Sequence, residues 1–138
     1  MTPTPTVDAV QYAVDVTLAD VDAMCAFLTK QISGTMCSPD SSPAERRFAK
    51  ALDAATFSAF YAAQKVFDVD DGSALMLHAR KERWNELCRV LEQWQDFEGY
   101  DTARWQRVTH IDEQQAVKQE AYRAERKAEM AAYYRERL

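Results

Sequence analysis

Apolar residues along this chain recur mostly at intervals of three and four, the spacing that lines one face of an α-helix. Val7, Val10, Val14, Leu18, Val21, Cys25, Leu28 and Ile32 trace the first such stripe and predict a helix over 7–33. A second reading starts that helix later. Val10, Tyr12, Val14 and Val16 alternate as a strand would, and Thr17-Leu18-Ala19-Asp20 has the spacing of a capping box, giving a helix over 18–33. An isolated strand would have no evident partner in this chain, so the continuous helix is preferred. Gly34 is the expected stop.

Ser42-Pro43-Ala44-Glu45 is the clearest local signal, with a hydroxyl cap, a proline at the first helical position and a reciprocal carboxylate. It predicts a helix over 43–67, with Phe48, Leu52, Ala55, Ala59, Ala63 and Val66 inward and Phe60 and Phe67 widening the stripe. Ser73 follows the turn at 70–72 and opens a third helix over 74–98, with Leu77, Trp84, Leu87, Cys88, Leu91 and Trp94 inward. Gly99 suits the left-handed position after a helix end.

Residues 102–138 contain no Gly or Pro and read as helix, with a break near Thr109 where Thr109-His110-Ile111-Asp112 repeats the capping spacing. Val117, Ala121, Ala124, Ala128, Ala131 and Leu138 form a thin apolar stripe interrupted by Arg135. Each alanine contributes only about 1 kcal/mol or less on burial. This helix therefore either packs closely on another helix or projects into solvent, held by charge pairs around Glu125, Glu129, Arg126 and Lys127. Residues 1–6, MTPTPT, read as an extended arm, because both prolines deny a helical amide. The expected fold class is all-α, one bundle-like domain (7–138) of four to five helices.

Composition narrows the picture. Three Gly, four Pro and a single Asn in 138 residues are too few for the turns of an all-β fold. The net charge is −5, and Lys30 is the only basic residue of the first forty, against Asp8, Asp15, Asp20, Asp22 and Asp40. No stretch carries the net positive field that phosphate binding needs, which argues against direct nucleic-acid binding. Three widely spaced cysteines fit a reduced, cytoplasmic-type compartment better than a disulfide scaffold. No signal peptide, transit peptide or membrane-spanning run is expected.

Catalytic and metal chemistry find little support. The glycines cannot form a phosphate loop, Asp68 to Gly72 lacks calcium-loop spacing, and no CxxC or HxxxH occurs. His78 and Glu82 stand one helical turn apart and lack the further ligands a metal needs. Cys88 reads as a buried, inert thiol, whereas Cys37 reads as an accessible one. No enzymatic activity and no cofactor or metal site is expected.

The aromatics are more suggestive, because aromatic residues beside arginine are the usual make-up of protein-binding hot spots. Phe57 and Tyr61 fall at the wet face of the second helix. Tyr100 and Trp105 flank Arg104, and Tyr133 and Tyr134 neighbour Arg135 and Arg137. Together with Asp8, Asp15, Asp20 and Asp22 these are the candidate partner-binding residues. The resulting expectation is a small acidic inhibitor or adaptor that docks on another protein, such as a phage or mobile-element product acting on host nucleic-acid machinery. The alternative is a structural subunit of a virion or other large assembly. The C-terminal helix also offers a route to self-association.

Overall fold

Side-chain caps open all four helices, and those at Ser42 and Ser73 stand where the sequence places them. The computed structural model describes residues 9–138 and is all-helical, with no strand among those residues. Helix α1 spans Leu18–Cys37, α2 Pro43–Asp68, α3 Ala74–Leu91 and α4 Glu113–Glu136. Thr17 and Asp20 cap α1 reciprocally, Ser42 and Glu45 cap α2, and Ser73 accepts the Met76 amide at the start of α3. None of these helices is long and apolar enough to cross a membrane.

The preferred start of the first helix is corrected, from residue 7 to Leu18. Residues 1–8, including the expected arm and the first stripe position, lie outside the described residues. From Ala9 to Thr17 the only helical structure is a single 3-10 turn at Ala13–Asp15. The Asp15 carboxylate accepts the Gln11 and Tyr12 amides at 3.2 and 2.9 Å, and Asp20 accepts the Thr17 amide at 2.8 Å. These carboxylates take amides that a continuous helix would donate to its own carbonyls. The capping box at Thr17 thus sets the start, as the second reading had it, although the residues before it pair with no strand. Gly34 does not stop α1, which runs on to Cys37. Gly34 is exposed and a Cβ there would meet nothing within 4 Å, so it stays helical at the usual glycine cost.

Helix α2 has nearly its expected length, but its inner face is rotated. Ala49, Thr56, Phe60 and Ala63 are buried, while Phe48 is 78% exposed and Ala55 is also exposed. A threonine can occupy that face because its hydroxyl donates to the Leu52 carbonyl at 2.7 Å. At the other end of α2, Arg80 donates to the carbonyls of Val66 and Val69 and so caps the helix from α3.

The largest departure lies between α3 and α4. Helix α3 ends at Leu91 and passes through a 3-10 turn at Glu92–Trp94, and no helix forms over 95–112. Trp105, Val108 and Ile111 are all buried there, and their three-residue spacing mimics a helical stripe. What prevents the helix is recruitment of its backbone by α3. The Asn85 side chain donates to the Val108 carbonyl and accepts the Val108 amide, at 2.9 and 2.8 Å, and the Trp84 indole donates to the Gln106 carbonyl at 2.8 Å. The start of α4 moves to Asp112, whose carboxylate accepts the Gln115 amide, and the expected box at Thr109 is not used. Gly99 does adopt a left-handed φ of 91°, but within this segment and not directly after a helix.

The core therefore has three helices, with α2 packed between α1 and α3, closed by residues 9–17 and 95–112. These two segments also bond to each other, from the amides of Val10, Ala13 and Val14 to the carbonyls of Ala103, His110 and Ile111. Met24, Leu28, Trp84, Leu87, Cys88 and Leu91 are almost wholly inaccessible at the centre. Helix α4 buries no residue at all.

Asn85→Ala should lower unfolding stability by about 2–3 kcal/mol in urea titration, because two buried backbone groups of Val108 lose their partner. Asn85→Asp keeps the acceptor but sets a carboxylate oxygen against the Val108 carbonyl, so at neutral pH it should be no more stable than Asn85→Ala.

Candidate partner-binding surfaces

The candidate residues divide by what their side chains already touch. Asp8 lies outside the described residues. Asp15 is engaged with backbone amides, as above. Asp20 meets Arg104 in a two-pronged ion pair, with Nε to Oδ1 at 3.0 Å and Nη2 to Oδ2 at 2.6 Å, and Arg104 also donates to the Asp15 carbonyl at 2.9 Å. Partial burial alone would raise the Asp20 pKa, but hydrogen bonds from Arg104 and the Thr17 amide outweigh it and hold the carboxyl below its ordinary range. Asp22 remains exposed and accepts from Gln64 of α2 at 3.0 Å.

The trio expected in the third connection turns inward. Trp105 is 5% exposed, and its ring meets Phe27 at 5.2 Å and Tyr100 at 5.0 Å between centroids, both edge to face. Tyr100 is half-buried against the same cluster. Trp105, Tyr100 and Arg104 thus hold residues 95–112 on α1 and present no exposed hot spot. The expectation of one there is corrected. Its sequence signal, aromatics beside arginine, is the same whether the arginine meets a partner or its own chain's aspartate.

Phe57 and Tyr61 face solvent as expected, 70% and 51% exposed. Their rings stack at 6.3 Å with 11° between planes, and the Lys65 ammonium stands 4.8 Å from the Tyr61 centroid. They form one wall of a groove between α1 and α2, floored by Leu28, Ile32 and Phe60. Asp53 and Asp22 stand along this groove and its continuation past Tyr61. Phe48 was missed as a surface residue, because it was assigned to the inner stripe. It walls a second apolar groove with Ile32, Leu52 and Trp94 on the other flank of α2. The true inner face passes through Ala49, Thr56 and Phe60, and a small and a polar residue on it gave no sequence signal against a stripe through Phe48.

Tyr133 and Tyr134 are exposed near the end of α4, edge to face at 5.5 Å, with the Arg137 guanidinium 4.3 Å from the Tyr133 ring.

The cysteines differ in availability. Burial pushes the Cys88 thiol up to about 12, so it is protonated at neutral pH, whereas Cys37 is exposed and Cys25 half-buried. Among the described residues, no group of three or more His, Cys, Asp or Glu side chains could hold a metal ion. His78 lies beside the Gln115 amide, at 3.4 Å.

Two measurements check this division. Trp105→Ala should destabilise the fold by about 3–5 kcal/mol, whereas Phe57→Ala with Tyr61→Ala should stay within about 1 kcal/mol, as exposed positions do. A depressed folded pKa at Asp20 means its stabilisation is present above the unfolded carboxyl value of about 3.9 and is lost as pH falls through the folded value. Urea titrations at neutral and strongly acid pH should show a smaller acid loss in Asp20→Asn than in the parent, with Glu45 and Asp71, also held low by their caps, supplying part of the remainder.

No protein-family model, curated protein or solved structure matches this chain.

Proposed function

We propose that this chain is a non-enzymatic protein-binding domain, an adaptor or inhibitor that docks on another protein through the α1–α2 groove. The observation that carries this reading is the solvent-facing Phe57–Tyr61 stack over an apolar floor. Two large rings left in water beside a groove are the amphipathic anchors that dominate binding energy in protein interfaces. Asp22 and Asp53 along the groove, with the negative charge of the first forty residues, favour a partner whose apolar anchor is ringed by basic side chains. A protein surface that handles nucleic acid has that character. A second reading, a subunit of a large assembly, is favoured by α4, exposed throughout from Val117 to Leu138.

The test is a tagged capture from the native source at physiological salt, run in parallel with the parent and with Phe57→Ala/Tyr61→Ala. A stoichiometric partner retained by the parent and lost by at least about tenfold with the double variant is expected, since two anchors of this kind together contribute more than about 1.4 kcal/mol. Equal recovery by both proteins would remove the groove from the interaction. Recovery of many subunits of one particle, unaffected by the groove variant, would support the assembly reading.

A further inference from the structure

Helix α4 carries a second surface, different from the α1–α2 groove in both position and chemistry. Val117, Ala121, Ala124, Ala128 and Ala131 repeat at alternating intervals of four and three, the seam of a two-helix coiled coil, and all are exposed. Lys118 and Glu125 border one side of that seam, and Glu120 and Lys127 border the other. Among the described residues no ion pair involves α4. The expected support of a projecting helix by its own charges is thus corrected. Four residues apart, Arg123–Lys127 and Glu125–Glu129 are alike in sign; three apart, Glu120–Arg123 and Arg126–Glu129 are opposite and Arg123–Arg126 alike, so the charges give the lone helix little net support. Of the four charges bordering the seam, only Glu120 has an opposite charge three or four residues away on its own helix, Arg123, which leaves Lys118, Glu125 and Lys127 to a partner helix.

We propose that two copies of this chain pair antiparallel through α4, with Ala121 of each copy facing Ala124 of the other. In this register Val117 meets Ala128 of the second copy, Lys118 faces its Glu125, and Glu120 faces its Lys127. The two-fold axis repeats each contact, so all four charges bordering the seam of each helix meet an opposite charge. Alternatives fare worse. Sliding the antiparallel pair by one heptad sets Glu125 against Glu125 and Lys127 against Lys127, and a parallel pair sets Glu120 against Glu125. Alanine at the seam suits the pairing, because small side chains let the helix backbones approach closely.

The ends of the helices fit the same register. Tyr134 of one copy comes opposite Glu113 of the other, at a cleft bordered by Arg107, His110, Glu113, Val117 and Glu120. The Tyr134 hydroxyl can donate to the Glu113 carboxylate there.

Sedimentation equilibrium of the full chain over about 1–100 μM, a range that brackets micromolar dissociation constants, tests the proposal. The expected species is a dimer of twice the 15.8 kDa chain mass. Lys118→Glu should weaken it about tenfold, because two symmetric attractions become repulsions. Lys118→Glu with Glu125→Lys should restore it, and far-UV circular dichroism should show all variants folded. A parent monomeric throughout, a dimer indifferent to Lys118→Glu, or a double variant that stays dissociated would each overturn the pairing. Because Phe57 and Tyr61 are untouched, these outcomes are independent of docking at the groove.

Discussion

Everything else in this fold depends on how residues 95–112, which have no regular secondary structure, are held inside it. Buried backbone amides and carbonyls must find partners, and this segment has no helix or sheet of its own to supply them. Its partners are side chains from elsewhere. Asn85, the only asparagine in the chain, mimics a peptide group toward Val108, and Trp84 reaches Gln106. Arg104 ties the other end of the segment to Asp20 and Asp15. With the backbone anchored, Trp105, Val108 and Ile111 can occupy the core side of α1 and α3.

This arrangement decides which surfaces are left over. In a four-helix bundle the fourth helix would cover the open side of the first three. Here the irregular segment covers that side, and α4 begins only after it has left the core. The helix is consequently available from Val117 onward. The same geometry leaves α2 covered on one side only, by α1 and α3, so Phe48 and the Phe57–Tyr61 stack remain at groove edges in solvent.

The two exposed faces suggest different tasks. The α1–α2 groove combines large rings with nearby carboxylates, a composition suited to a partner of unlike surface. The α4 seam combines small residues with charges that complement themselves under two-fold symmetry, a composition suited to a second copy. A chain with both would present its groove twice, and binding of a repeated or dimeric target would gain from effective concentration.

Periodicity and local chemistry in the sequence determined the all-α class and the starts of α2 and α3. A hydroxyl three residues from its amide is a purely local signal, so Ser42 and Ser73 could be read directly, whereas Thr17 was legible only as the less favoured of two starts. Periodicity also placed Leu77, Trp84, Leu87, Cys88 and Leu91 inward on α3, and Phe57 and Tyr61 outward on α2. Periodicity misled where two faces competed: on α2, Phe48 drew the stripe to one side of the true face through Ala49, Thr56 and Phe60. At 105–111 the spacing of Trp105, Val108 and Ile111 imitated a helix. Only the tertiary structure could decide these cases. Whether a backbone amide serves its own helix or the side chain of Asn85, more than twenty positions away, depends on which groups the packed core brings together. That information lies in the contacts between segments, and not within any one of them.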